Sequence, residues 1–148
     1  MQTIQQQRAA YALKAVQNAA EDQSIHSEYK SYASNLPAMI HMNGLGQAIA
    51  FFKAKSAPEK PPQQRNAKEK AYFSLYEMLS DWLCSKGDLI TPMPLQPYHR
   101  HNDVLNGITS EDMHTYRFAQ AEAQALMDWV KKFAKAFMTD DDNGEQQQ

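Results

Sequence analysis

The sequence predicts an all-α fold: a compact single-domain helical bundle of about five to six helices. Three observations carry that class. Apolar residues recur at steps of three and four through long stretches of the chain. No stretch shows the strict two-residue alternation of a half-buried strand. The GLG at 44–46 lacks the third glycine and the preceding strand that a nucleotide-binding turn requires. A length of 148 residues suits one domain able to bury a core without metal or disulfide. That domain is expected over 1–138, followed at 139–148 by an acidic, glutamine-rich segment expected to be a disordered tail.

The stretch from Asn35 to Phe52, NLPAMIHMNGLGQAIAFF, predicts a buried hairpin at the centre of the bundle. If Asn43 closes one helix, Gly44 supplies the positive φ that such an end favours, and Leu45 can fold back onto Ile40. Gly46, Ala48 and Ala50 then keep the next helix slim enough for close approach by its neighbours.

Before that hairpin, Thr3 and Gln6 form a capping-box pattern opening a helix to about Ala20, with Ala9, Ala12, Leu13, Val16, Ala19 and Ala20 on its inner arc and Arg8 at the edge. A second helix is expected from near Ser24 or Ser27 to Asn43, on the spacing of Tyr29, Tyr32, Ala33, Leu36 and Ile40. Pro37 removes one of its backbone bonds, so the helix either kinks there or restarts with Asn35 as cap; the kinked single helix is favoured.

After the hairpin, SAPEKPPQQ at 56–64 predicts an extended, solvated linker. Asn66 to Lys86 predicts a helix with Ala71, Leu75, Met78, Leu79, Trp82 and Leu83 inward, ended by Gly87. The prolines at 92, 94 and 97 predict a long loop through 88–107. A last helix is expected after Thr109 or Ser110, with Tyr116, Ala119, Ala123, Leu126, Val130, Phe133 and Phe137 as its buried seam, Trp129 flanking it, and Arg117, Gln124, Asp128, Lys131 and Lys135 outside.

Net charge is −2, but four acids and no base fall within 138–148, leaving 15 bases against 13 acids elsewhere. A body at +2 is far from the strong basicity of a protein that grips nucleic acid alone. Cys84, the single cysteine, can form no internal disulfide, and no charged-then-apolar leader or membrane-length apolar run is evident, so a cytoplasmic protein with no membrane partner is expected.

Three groups of residues bear on chemistry. His99, His101 and Asp103 alternate in the proline-rich loop, with His114 further on, and would suit a small metal-dependent hydrolase only if the loop were extended; Arg100 between the histidines opposes a cation, and a solvated basic loop is the simpler reading. Cys84 would be a nucleophile only with a histidine beside it, and its place in an apolar helix favours an inert thiol. Lys131, Lys132 and Lys135, with Arg117 on the same helix and Lys53 and Lys55 at the end of the hairpin, either hold a phosphate backbone without reading bases or merely answer Asp128 and the helix dipole. No catalytic residue, metal site or cofactor is assigned.

LPAMIHMNGLGQAIAFF at 36–52 and YRFAQAEAQALMDWVKKFAKA at 116–136 together resemble the small helical subunit of the type III-B CRISPR effector complex, the Cmr module. The shared features are the Leu-Pro followed by Asn-Gly-Leu, the Ala-Phe helix, the closing Tyr-Arg helix with Trp and a basic pair, and the arginine-bearing first helix, spanning about residues 8–137. The resemblance implies a non-catalytic subunit, stacked in several copies along the crRNA and target RNA of a ribonucleoprotein whose other subunits cleave. It implies fold-forming roles for Leu36, Pro37, Asn43, Gly44, Leu45, Phe51, Tyr116 and Trp129, and RNA contact by Arg8, Arg117, Lys131 and Lys132. With the charge pattern added, the candidate RNA-binding set is Arg8, Lys53, Lys55, Arg117, Lys131, Lys132 and Lys135. Partners would be the other Cmr subunits, further copies of this chain, crRNA and target RNA. The competing reading is a helical protein-interaction module unrelated to CRISPR.

Overall fold

The computed structural model describes residues 1–84 and 96–139. Within them lie six α-helices and no strand: α1 (Ile4–Ala20), α2 (His26–Asn43), α3 (Leu45–Lys55), α4 (Ala67–Cys84), α5 (Val104–Ser110) and α6 (Met113–Phe137). The expected stop at Gly87, the prolines at 92 and 94, and the tail beyond Thr139 fall outside the described residues.

α1 opens as its sequence predicts. The Gln6 amide donates to Thr3 Oγ1 at 3.1 Å, and the Thr3 amide donates to Gln6 Oε1 at 2.8 Å, which satisfies two end groups reciprocally. α2 follows a short 3-10 turn at Gln23–Ile25 capped by Asp22, and it runs unbroken through Pro37. His26 Nε2 bonds the Ala20 carbonyl at 2.6 Å while its Nδ1 accepts from the Thr139 amide at 3.3 Å. One imidazole thereby joins the end of α1, the start of α2 and the end of α6.

The α2–α3 junction turns on Gly44, whose φ of 88° and ψ of 156° suit only a residue without Cβ. Its amide closes α2 on the Ile40 carbonyl at 2.8 Å. α6 supplies the cap that α3 lacks in its own sequence: Gln120 Oε1 accepts from the Leu45 amide and the Tyr116 hydroxyl from the Gly46 amide, both at 2.9 Å. A Cβ on Gly44 would stand 3.1 Å from that hydroxyl, so the junction seats directly on α6.

Two expectations change in the connections. The 56–64 segment is no extended linker: Ser56 and Ala57 are buried, Pro62–Gln64 forms a 3-10 turn, and buried Arg65 donates from Nε to the Ala57 carbonyl at 3.3 Å with its guanidinium 4.1 Å from the Phe73 ring centre. The 88–107 loop contains the start of α5. Asp103 caps that helix through the Leu105 amide at 3.1 Å, and the Val104 amide donates to Ser80 Oγ on α4. Thr109 and Ser110, expected to cap the last helix, bond back to carbonyls within α5, and Asp112 caps α6 through the Thr115 amide. Gly107 is required because a Cβ there would lie 2.4 Å from the Tyr98 ring, which packs across it.

The core is formed by α4 against α2 and α3, with α6 laid along α1 and α2. Leu36, Ile40, Leu45, Ile49, Leu75, Leu79, Trp82, Leu83 and Leu126 are fully buried or within 1 % of it. The α6 seam departs from its predicted end. Val130, Ala134 and Met138 are buried, whereas Phe133 is half-buried and Phe137 is 44 % exposed. The two phenylalanines instead extend a row from Trp129 along the flank of α6, with successive ring centres 5.6 and 6.4 Å apart.

Candidate nucleic-acid interface

The seven cations singled out from the sequence fall into three environments. Arg8 projects from α1 across to α6, where Nε and Nη2 donate to the two carboxylate oxygens of Glu122 at 2.7 and 2.9 Å, and Nη1 donates to Gln5. Trp82 Nε1 on α4 donates to the same carboxylate at 2.9 Å. Glu122 is 2 % exposed, so three helices converge on one buried negative charge neutralised by Arg8. Against the Trp82 ring, at 4.7 Å between centres, lies Tyr11, whose hydroxyl donates to the Met78 carbonyl at 2.6 Å. Burial first, and the nearby Asp81 carboxylate second, push the Tyr11 phenol well above its usual range.

Lys53 and Lys55, at the end of α3, lie over aromatic rings. Lys53 Nζ is 4.7 Å from the centre of the Tyr76 ring and Lys55 Nζ 5.6 Å from that of Phe51.

Arg117, Lys131, Lys132 and Lys135 project from the outer face of α6. Arg117, Lys132 and Lys135 are exposed and Lys131 half-buried, and among the described residues none of the four has an ion pair within 4.0 Å. Asp128 lies on this face without pairing with Lys131 or Lys132, so the reading that these lysines merely answer Asp128 loses its geometric basis. Helical geometry makes a ridge of them: Lys131 and Lys135 are one turn apart, Lys132 is offset toward α1, and Arg117 lies five turns before Lys135 at the same angular position. Beside the ridge, Gln5, Ala125, Asp128, Trp129 and Lys132 line a groove of about 340 Å³ between α1 and α6.

The histidine loop does not gather. His101 Nε2 bonds Glu111 Oε2 at 2.8 Å, Asp103 accepts the Tyr76 hydroxyl 2.7 Å from each of its oxygens, and His99 is exposed with Nδ1 near the Gln96 carbonyl. No three His, Cys, Asp or Glu side chains among the described residues are placed to share a metal ion. Cys84 is buried at the end of α4, in keeping with a packed thiol. No described helix is long and apolar enough to cross a membrane.

Sequence reasoning missed Glu122, although one signal was present: it is an acid set directly beside the seam alanines 119 and 123, where a charge needs a buried partner. Gln5 carried no such signal, since its place in the groove depends on how α1 lies against α6.

The comparisons with known proteins bear on this arrangement as a whole. A family described as CRISPR-associated protein (Cas_Cmr5) matches residues 4–137, which include every element from α1 to α6. The chain belongs to this family. The Cmr5 fold is also that of a solved relative, described as a CRISPR-associated Cmr5 family protein from Thermus thermophilus, which is 22 % identical with a TM-score of 0.64 over 93 % of this chain and 100 % of that one. Cmr5 membership makes the chain a small subunit of the type III-B Cmr complex, implies the other Cmr subunits as its partners, and sets aside the reading as an interaction module unrelated to CRISPR.

Proposed function

We propose that this chain is a non-catalytic Cmr subunit that stacks in several copies along the crRNA and its target and holds the RNA backbone with the outer face of α6. The observation that supports this most is that Arg117, Lys131, Lys132 and Lys135 on the outer face of α6 have no ion pair among the described residues, while Arg8 is neutralised by Glu122. A row of cations that holds phosphates reads no sequence, which suits a subunit of a complex where base pairing with a guide carries the specificity. Weak charge suits repetition: linked copies add contacts at high effective concentration, so a body at +2 contributes to tight binding only within the assembly.

The absence of catalysis is part of the proposal. His101 and Asp103 are engaged by Glu111 and Tyr76, which supports the described part of the loop as structure rather than as a catalytic centre. The test is reconstitution of the complex with a Lys131→Glu, Lys135→Glu subunit. Assembly should persist while target RNA is retained less tightly; unchanged retention by a fully assembled complex overturns the reading.

A further inference from the structure

We propose that the groove between α1 and α6 is a single-nucleotide subsite, in which one unpaired base of the RNA stacks on the Trp129 indole while Lys132 takes the adjoining phosphate. The inference rests on the reading of the α6 ridge as the RNA-facing surface, and it adds a base contact to what would otherwise be a backbone grip.

The groove follows from the sequence of α6. Helical side chains lean toward the N-terminus, so the Trp129 ring projects over the turn occupied by Ala125, whose single methyl leaves the space beside the indole open. Trp129 is half-buried, stacked on Phe133 with ring planes 28° apart, and its Nε1 donates to Gln5 Oε1 at 3.4 Å. The ring is therefore held from one side and from its edge, which makes it a pre-oriented platform rather than a swinging side chain. At about 340 Å³ the groove lies at the small end of the roughly 300–1,000 Å³ typical of small-molecule sites, the size class of one nucleotide rather than an extended peptide.

The lining chemistry selects the occupant. Lys132, exposed and without an ion pair among the described residues, offers a cation to a phosphate. Asp128, one turn before it, would repel a phosphate at its own position but can accept from a ribose 2′-hydroxyl or an exocyclic amine. The Gln5 side-chain nitrogen can donate to a base edge, its oxygen already accepting from Arg8 Nη1 and Trp129 Nε1. An aromatic face, one cation and one acceptor within a single groove match a ribonucleotide better than free phosphate, which has no use for the indole, or an aliphatic side chain, which has none for the charges. Continuity with the Lys131–Lys135 ridge places the groove beside the proposed backbone track, as in single-strand binders that pair a basic groove with an aromatic stacking platform.

The experiment uses the assembled complex and a target RNA carrying 4-thiouridine, irradiated and digested with trypsin. Cleavage after Arg117 and Lys131 releases residues 118–131 as one peptide containing Trp129. The expected result is an RNA adduct on that peptide at Trp129, lost in Trp129→Ala. In parallel, Trp129→Ala should weaken target binding about tenfold per engaged site with the salt dependence unchanged, and Trp129→Phe should restore most of the affinity. Adducts confined to other peptides, or equal affinity for the alanine variant, would overturn the subsite while leaving the backbone reading intact, because the latter is read from the salt dependence of the lysine variants. If Trp129→Ala instead prevents the subunit from entering the complex, the indole docks against protein and the inference fails.

Discussion

Arg8 and Glu122, 114 positions apart in the chain, form a two-pronged ion pair whose side chains are 17 % and 1 % exposed. The pair joins α1 to α6, and Trp82 ties α4 to the same carboxylate. This relationship separates two explanations for a cation on the first helix, because an arginine that neutralises a buried acid is needed for folding whether or not RNA is present. Arg8→Met should therefore cost about 3–5 kcal/mol in urea-induced unfolding, most of it from stranding Glu122. The double change Arg8→Met, Glu122→Leu should recover a large part of that loss. A loss below about 1 kcal/mol for Arg8→Met, coupled with weaker target binding, would return Arg8 to the RNA-contact set.

The corrected seam of α6 gives a second test. Leu126 is fully buried in the core, so Leu126→Ala should cost about 2–5 kcal/mol. Phe133 packs on the core only in part and stacks on Trp129, so Phe133→Ala should cost less than Leu126→Ala, at most about 2 kcal/mol. Unfolding of the two variants side by side decides it; equal losses would mean that Phe133 is core after all.

Acid sensitivity has an identifiable source at the start of α6. The Thr115 amide, first, and the Thr115 side chain, second, hold the Asp112 carboxyl below its usual value. A carboxyl lowered by folding stabilises fully above its unfolded pKa, near 4, and that contribution is lost as pH falls through the lower folded value. Asp22, held down chiefly by the Ser24 hydroxyl, and Glu69, held down chiefly by the Asn66 amide, act with the same sign. Asn at position 112 keeps the cap without titrating. Asp112→Asn should thus leave unfolding at neutral pH nearly unchanged and make its decline below about pH 4 shallower; superimposable acid limbs would contradict this.

Much of the fold was legible because local chemistry and global packing agree. Thr3 and Gln6 marked the start of α1, Asn43 and Gly44 the end of α2, and the apolar arc of α4 its buried face. The misreadings came where distant contacts override local pattern. Phe133 and Phe137 fit the seam by spacing, but helix drift over 25 residues moves the buried stripe onto Val130, Ala134 and Met138. Thr109 and Ser110 are good caps by type, yet the chain is already helical there because Asp103 starts α5 six residues earlier. At the candidate site, the lysines of α6 were visible as a charged face. The Arg8–Glu122 pair and the groove beside Trp129 were not, since both exist only through the packing of α1 on α6.

RNA-backbone contact by the α6 ridge is read from target binding across a salt series by complexes carrying either the wild-type subunit or Lys131→Glu, Lys135→Glu. Both lysines lie off the fully buried seam, so folding and assembly should survive the change. The doubly reversed subunit should give lower affinity and a dependence of log affinity on log salt flattened by about 0.7 for each single-strand phosphate that is no longer neutralised, multiplied by the copies engaged. Equal affinities and equal slopes for the two assembled complexes would contradict it.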